Sequence, residues 1–161
     1  MGNIFIRVNG TGNAWPVPLG SDHPFYNRED QEELANVSFS IIKSSTAEIS
    51  RETIEWEILV DAGHGIVQYL IRHQNRLPEA IALTHAHLDH TLSLDWIVQS
   101  HYKHYNNERK MPLYSSRPAW SFVADSFPQL PPLTNFNELK PGVAGRIEGI
   151  PEISLTFFPV Y

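Results

Sequence analysis

The chain has 161 residues, 42% of them hydrophobic and 19% charged, which suits one domain with a buried core and is too apolar for disorder throughout. Its formal net charge of −6 argues against a broad basic surface for nucleic acid, although a local patch could still grip one phosphate. Cysteine is absent, so disulfides and thiolate zinc sites are excluded, and any metal must be held by histidine and carboxylate.

Residues 4–8 alternate apolar with polar and predict a short strand that runs into the turn-rich loop Asn9-Gly10-Thr11-Gly12-Asn13. Residues 15–36 are rich in Pro, Gly, Asn and acids and predict a long surface loop. Strands follow at 37–42 and 54–60, the second broken by Asp61-Ala62-Gly63-His64-Gly65. Ile66, Val67, Leu70 and Ile71 fall at helical spacing ahead of Pro78, predicting a helix from 66 to 76. Residues 80–83 form a short buried strand, and Leu94, Ile97, Val98 and His101 line one face of a second helix. A strand at 112–114, a helix at 118–127 with Pro118 in its first turn, a proline-rich loop and a final hairpin of 143–148 with 153–160 complete the reading.

Between the strand at 80–83 and the helix after it lies Thr84-His85-Ala86-His87-Leu88-Asp89-His90. Crowded imidazoles in a half-buried loop must lose protons, repel one another or find a partner, and a divalent cation resolves all three. Extended backbone points side chains two residues apart the same way, so His85 and His87 can converge on one cation. Asp89 and His90 follow where the chain turns into a helix, in reach of a second cation, the arrangement of a two-metal hydrolytic site. The metal ligands expected are therefore His85, His87, Asp89 and His90, with Asp89 also the candidate catalytic residue, and the cations Zn first, then Mn or Fe. Asp61, at the end of a buried strand, is expected to orient a ligand histidine or the loop from behind, or else to be a turn aspartate. His23, His64, His101 and His104 are expected to be solvated.

The run from Thr84 to His90 matches the His-x-His-x-Asp-His signature and so resembles the metallo-β-lactamase fold superfamily. Gly10-Thr11-Gly12-Asn13-Ala14 looks like the glycine loop of its phosphodiesterase branch, which includes ribonuclease Z and the cyclic ribose-phosphate phosphodiesterase. Leu59-Val60-Asp61-Ala62-Gly63 is similar to the strand of that family that ends in aspartate and glycine. The resemblance implies an α/β (α+β) fold, an αββα sandwich of which this chain supplies mainly the N-terminal half, with two metal ions between the sheets. It also implies a further histidine for the first metal, a bridging aspartate and a last histidine downstream of the motif. Residues 153–161 end in an apolar strand without a polar tail, so residues 1–161 are expected to be one such domain truncated at the C-terminus.

The reaction this implies is hydrolysis by a hydroxide bridging two metal ions, most readily of a phosphodiester, whose phosphate the glycine loop could meet with backbone amides. That loop could equally be a tight turn. The competing readings are a lactone or carboxyl-ester hydrolase on the same metals, and a non-catalytic fragment or interaction subunit with an incomplete metal site. The expected partners are a small-molecule or nucleotide phosphodiester and, through an exposed apolar sheet face, a second copy or another protein. Residues 1–8 carry no signal peptide or membrane span, so the expected location is the cytoplasm.

Overall fold

The computed structural model describes residues 2–12 and 35–159. Most of the long loop predicted over 15–36, together with His23, lies outside the described residues. A six-stranded sheet runs in the order β1 (Asn3–Gly10), β2 (Ser38–Ser44), β3 (Ile54–Val60), β4 (Ala80–Ala82), β5 (Met111–Ser115) and β6 (Thr134–Glu138). β1, β2 and β3 are antiparallel neighbours, and β3 through β6 pair in parallel. The parallel half needs crossovers, which are supplied by α1 (Ile66–Arg72), α3 (Leu94–His104) and α4 (Arg117–Ser126). A short helix, α2 (Leu88–Thr91), precedes α3.

Side-chain alternation along the strands divides the core in two. Leu59, Ile81 and Leu113, each fully buried, face Val67, Leu70, Ile97, Val98 and Val123 of the helices. Ile58, Val60, Ala80, Ala82 and Tyr114 face the other way, toward a two-stranded sheet of β7 (Ala144–Ile147) and β8 (Ile150–Thr156), where Ile147 and Ile150 are buried. Helices, central sheet and hairpin therefore stack as three layers, an α/β architecture as expected. The hairpin does not reach the far end of that second face. There Ile4, Ile6 and Val8 of β1 are 53%, 73% and 58% exposed.

Three expectations need correction. The first helix ends at Arg72, not at 76, because His73 is extended and Gln74 and Asn75 turn into the left-handed region at φ 55° and 46°. The segment after the prolines is not all loop, since β6 pairs with β5 from Met111 opposite Thr134 to Ser115 opposite Glu138. Its composition is polar because it is the last strand of the described sheet and buries little beyond Thr134 and Phe136, the latter stacked on Trp120 at 5.1 Å.

The third correction concerns His101, which is buried rather than solvated, at 1% exposure. It continues the stripe of Leu94, Ile97 and Val98 seven residues after Leu94, and that spacing turns it inward whatever its polarity. Neither ring nitrogen makes a well-formed hydrogen bond among the described residues. Burial, aided by the positive charges of Arg109 and His104, pushes its pKa down to about 4. An imidazole depressed in the folded state takes up protons first in the unfolded chain. Its contribution is complete above the unfolded value near 6.5 and is lost as the pH falls from there toward 4. Urea unfolding at pH 7 and pH 4.5 should show the native chain losing about 2–3 kcal/mol more than His101→Leu over that interval. Equal losses in the two proteins would contradict the assignment.

Candidate metal centre

Strand β3 ends at Val60 and is followed by Asp61, whose backbone sits at φ 61°, a conformation that aspartate tolerates better than most residues. The turn lets the chain leave the sheet while the carboxylate, 3% exposed, points along it toward the end of β4. There Oδ1 accepts from the Thr84 backbone N–H at 2.9 Å, and Oδ2 accepts from the Thr84 hydroxyl at 2.7 Å and from His90 Nδ1 at 2.8 Å. One buried carboxylate thus binds both ends of the histidine motif.

Proton bookkeeping follows from those contacts. A carboxylate only accepts, so the Thr84 hydroxyl donates its hydrogen to Asp61 and its oxygen accepts from His85 Nδ1 at 3.0 Å. His90 likewise donates from Nδ1. Both imidazoles then carry hydrogen on Nδ1 and leave Nε2 with a lone pair. Burial, and next the repulsion that protonating both His85 and the adjacent His90 would incur, hold His85 below the ordinary imidazole value, so it is neutral at neutral pH.

His85, His87 and Asp89 bring one ligand atom each to within 4.8 Å of one another. His90 stands against the same group, its ring 3.9 Å from that of His85 and its Nε2 3.2 Å from Asp89 Oδ2. The sequence suggested two pairs, His85 with His87 and Asp89 with His90. In the structure Asp89 joins the first pair, and His90 is held at Nδ1 by Asp61 with its Nε2 against Asp89. Two acceptors facing each other at 3.2 Å repel unless a proton or a cation lies between them. Together with the neutral His85 and the convergent nitrogen and oxygen donors, this fits a divalent cation of the borderline class.

The floor of the site explains the glycine that follows Asp61 and Ala62. A Cβ on Gly63 would lie 1.7 Å from the Asp89 carbonyl oxygen, so glycine is required for the loop after β3 to lie under α2. Ala62 ties the two together, its N–H donating to the His90 carbonyl and its carbonyl accepting from Ser93 N–H, each at 2.7 Å. Asn36 adds a brace through Oδ1, which accepts from His64 N–H at 2.7 Å. The signal was present in the Asp-Ala-Gly run but could be read only as a strand end. His64 itself is exposed.

In the glycine loop the described glycines pack against the chain itself. A Cβ on Gly10 would lie 2.2 Å from the Asn36 carbonyl oxygen, and the Gly12 N–H donates to the Ala35 carbonyl at 2.9 Å. Close packing against residues 35 and 36 accounts for Gly10, and the Gly12 amide is not left for a phosphate. Asn13 and Ala14 lie outside the described residues. Beside the histidines opens a cleft of about 920 Å³ whose far wall is apolar, formed by Pro118, Phe122, Phe157 and Phe158.

Comparison with known families places this geometry. The beta-lactamase superfamily domain matches residues 57–161, which span the Asp61 loop, the histidine motif and the rest of the parallel sheet. The chain belongs to the beta-lactamase superfamily. Among solved structures it is similar to a diphosphatase from the PhnP family, with a TM-score of 0.69 and 19% identity over 91% of this chain and 55% of that one. It also resembles the metallo-beta-lactamase fold protein YhfI from Bacillus subtilis, with a TM-score of 0.58 and 15% identity over 89% of this chain and 48% of that one. A long form RNase Z from yeast aligns with a TM-score of 0.57 and 18% identity over 84% of this chain and 18% of that one. The chain therefore spans about half the length of the first two. A comparison with curated proteins finds no match.

Gly63→Ala should destabilise the chain by more than about 2 kcal/mol, because the obstacle is backbone that cannot rotate aside. A change below 0.5 kcal/mol in urea unfolding would show that the Asp61 loop is not clamped beneath the motif.

Proposed function

We propose that this chain supplies the His85, His87, Asp89 and His90 ligands of a metal-dependent hydrolase that cleaves phosphodiesters. The observation that carries the reading is the convergence of His85, His87 and Asp89 within 4.8 Å on a beta-lactamase superfamily fold. Two of the similar structures are a diphosphatase and an RNase Z, which favours phosphoester substrates over lactones.

His85, His87 and Asp89 would hold one cation, and His90, whose Nε2 stands against Asp89, would serve a second that Asp89 shares, zinc being the best match to the donors, with manganese or iron as substitutes. Such cations lower the pKa of water and neutralise charge that develops on the substrate oxygens. The chain's own residues do the rest. Asp61 and Thr84 keep His85 and His90 in the tautomer whose Nε2 can act as a ligand. Asp89, at 19% side-chain exposure, is the carboxylate placed to accept a proton from an attacking water as well as to bind metal. The apolar wall of Phe122, Phe157 and Phe158 would pack against an organic group of the ester.

The test is steady-state hydrolysis by the full gene product of bis(p-nitrophenyl) phosphate and of a simple lactone, after loading with zinc or manganese. Diester cleavage should exceed lactone opening, and His87→Ala and Asp89→Ala should each lower it by at least about 100-fold. Removal of the metal by chelation should do the same. Unchanged rates in those variants, or faster turnover of the lactone, would overturn the proposal.

A further inference from the structure

The outer face of the helix layer carries a second cleft, of about 610 Å³, between α1 and α3. Along α3 its lining runs from Trp96 to His104, and it includes no residue of the histidine motif. In a chain of net charge −6 its lining has the opposite sign: Arg51, Arg76, Lys103 and His104, against the single carboxylate Glu79. Glu79 is engaged with Arg76 and with the Glu57 backbone N–H, so it fixes the guanidinium in place. Arg51 and Lys103 are exposed and form no ion pair among the described residues.

The apolar part of the lining is aromatic as well as aliphatic. Trp96 stands 60% exposed at the cleft, and Tyr105 lies in its wall with the Arg109 guanidinium over its ring at 4.9 Å. An exposed tryptophan beside unpaired cations is what a ligand with a flat ring and a phosphate would meet, because stacking and ion pairing use the two kinds of group separately. The volume matches a small molecule.

We propose that this cleft binds a nucleoside monophosphate, the phosphate lying among Arg51, Arg76 and Lys103 and the base stacking on Trp96. The site is separate from the histidine cluster and does not rest on the hydrolase reading. Failure of diester hydrolysis would leave it untouched.

Isothermal titration of the full chain with adenosine monophosphate, inorganic phosphate and hexyl phosphate tests the proposal. The nucleotide should bind at least about tenfold more tightly than either of the others, the margin expected from one stacked base. Arg51→Glu with Lys103→Glu should weaken nucleotide binding at least about tenfold, and Arg51→Gln with Lys103→Gln should leave the residual binding less sensitive to salt than in the native chain. Arg51→Gln with Lys103→Gln provides the same reading should the charge reversals perturb folding. Trp96→Ala should bring the nucleotide down to the affinity of inorganic phosphate, and His87→Ala should leave nucleotide binding unchanged. Absence of nucleotide binding, binding indifferent to the cleft variants, equal binding of hexyl phosphate, or loss in His87→Ala would each overturn it.

Discussion

The Asp61 carboxylate is the contact on which the candidate site depends. It sits at the end of a buried strand, takes three hydrogen bonds from two residues of the neighbouring motif, and is nearly inaccessible to water. A buried carboxylate is costly unless its lone pairs are filled, and here the groups that fill them are those whose direction matters for chemistry. The carboxylate and the histidine motif therefore stabilise each other. Asp61 is kept in place by Thr84 and His90, and they are aimed by it.

That relation requires β3 and β4 to be parallel neighbours in fixed register. Val60 lies opposite Ala82, so the two strands end side by side and their loops leave in the same direction. Sites at the carboxyl ends of parallel strands recur because the chain must turn there, and the loops released are free of ladder hydrogen bonds. Gly63 then brings the first loop beneath the second with no side chain between. The same sheet leaves its opposite edge, β1, with apolar side chains exposed on the face the hairpin does not cover.

Much of this was legible in the sequence, and for identifiable reasons. The strand at 54–60 coincides with β3 because a run of apolar and β-branched residues ends in Asp and Gly, which break it unambiguously. The histidine motif was legible because its spacing is unusual and follows an apolar run. β6 was not, since Thr134-Asn135-Phe136-Asn137-Glu138 has the composition of a loop and becomes a strand only through pairing with β5. His101 was half legible: its spacing placed it on the apolar face while its polarity suggested water, and the spacing prevailed. Asp61 was legible as a residue that could orient a ligand histidine or the loop, but its partners Thr84 and His90 lie 23 and 29 residues on, a separation at which sequence alone offers no pairing rule.

The central claim is that Asp61, directly and through Thr84, fixes hydrogen on Nδ1 of His85 and His90 and leaves Nε2 of each as the ligand atom. Nitrogen-15 NMR of the imidazole side chains at neutral pH, without added metal, reads this directly. Both residues should show the Nδ1–H tautomer, and His90 should lose it in Asp61→Ala. Hydrogen on Nε2 of His85 and His90 in the native chain, or a tautomer at His90 indifferent to Asp61→Ala, would contradict it.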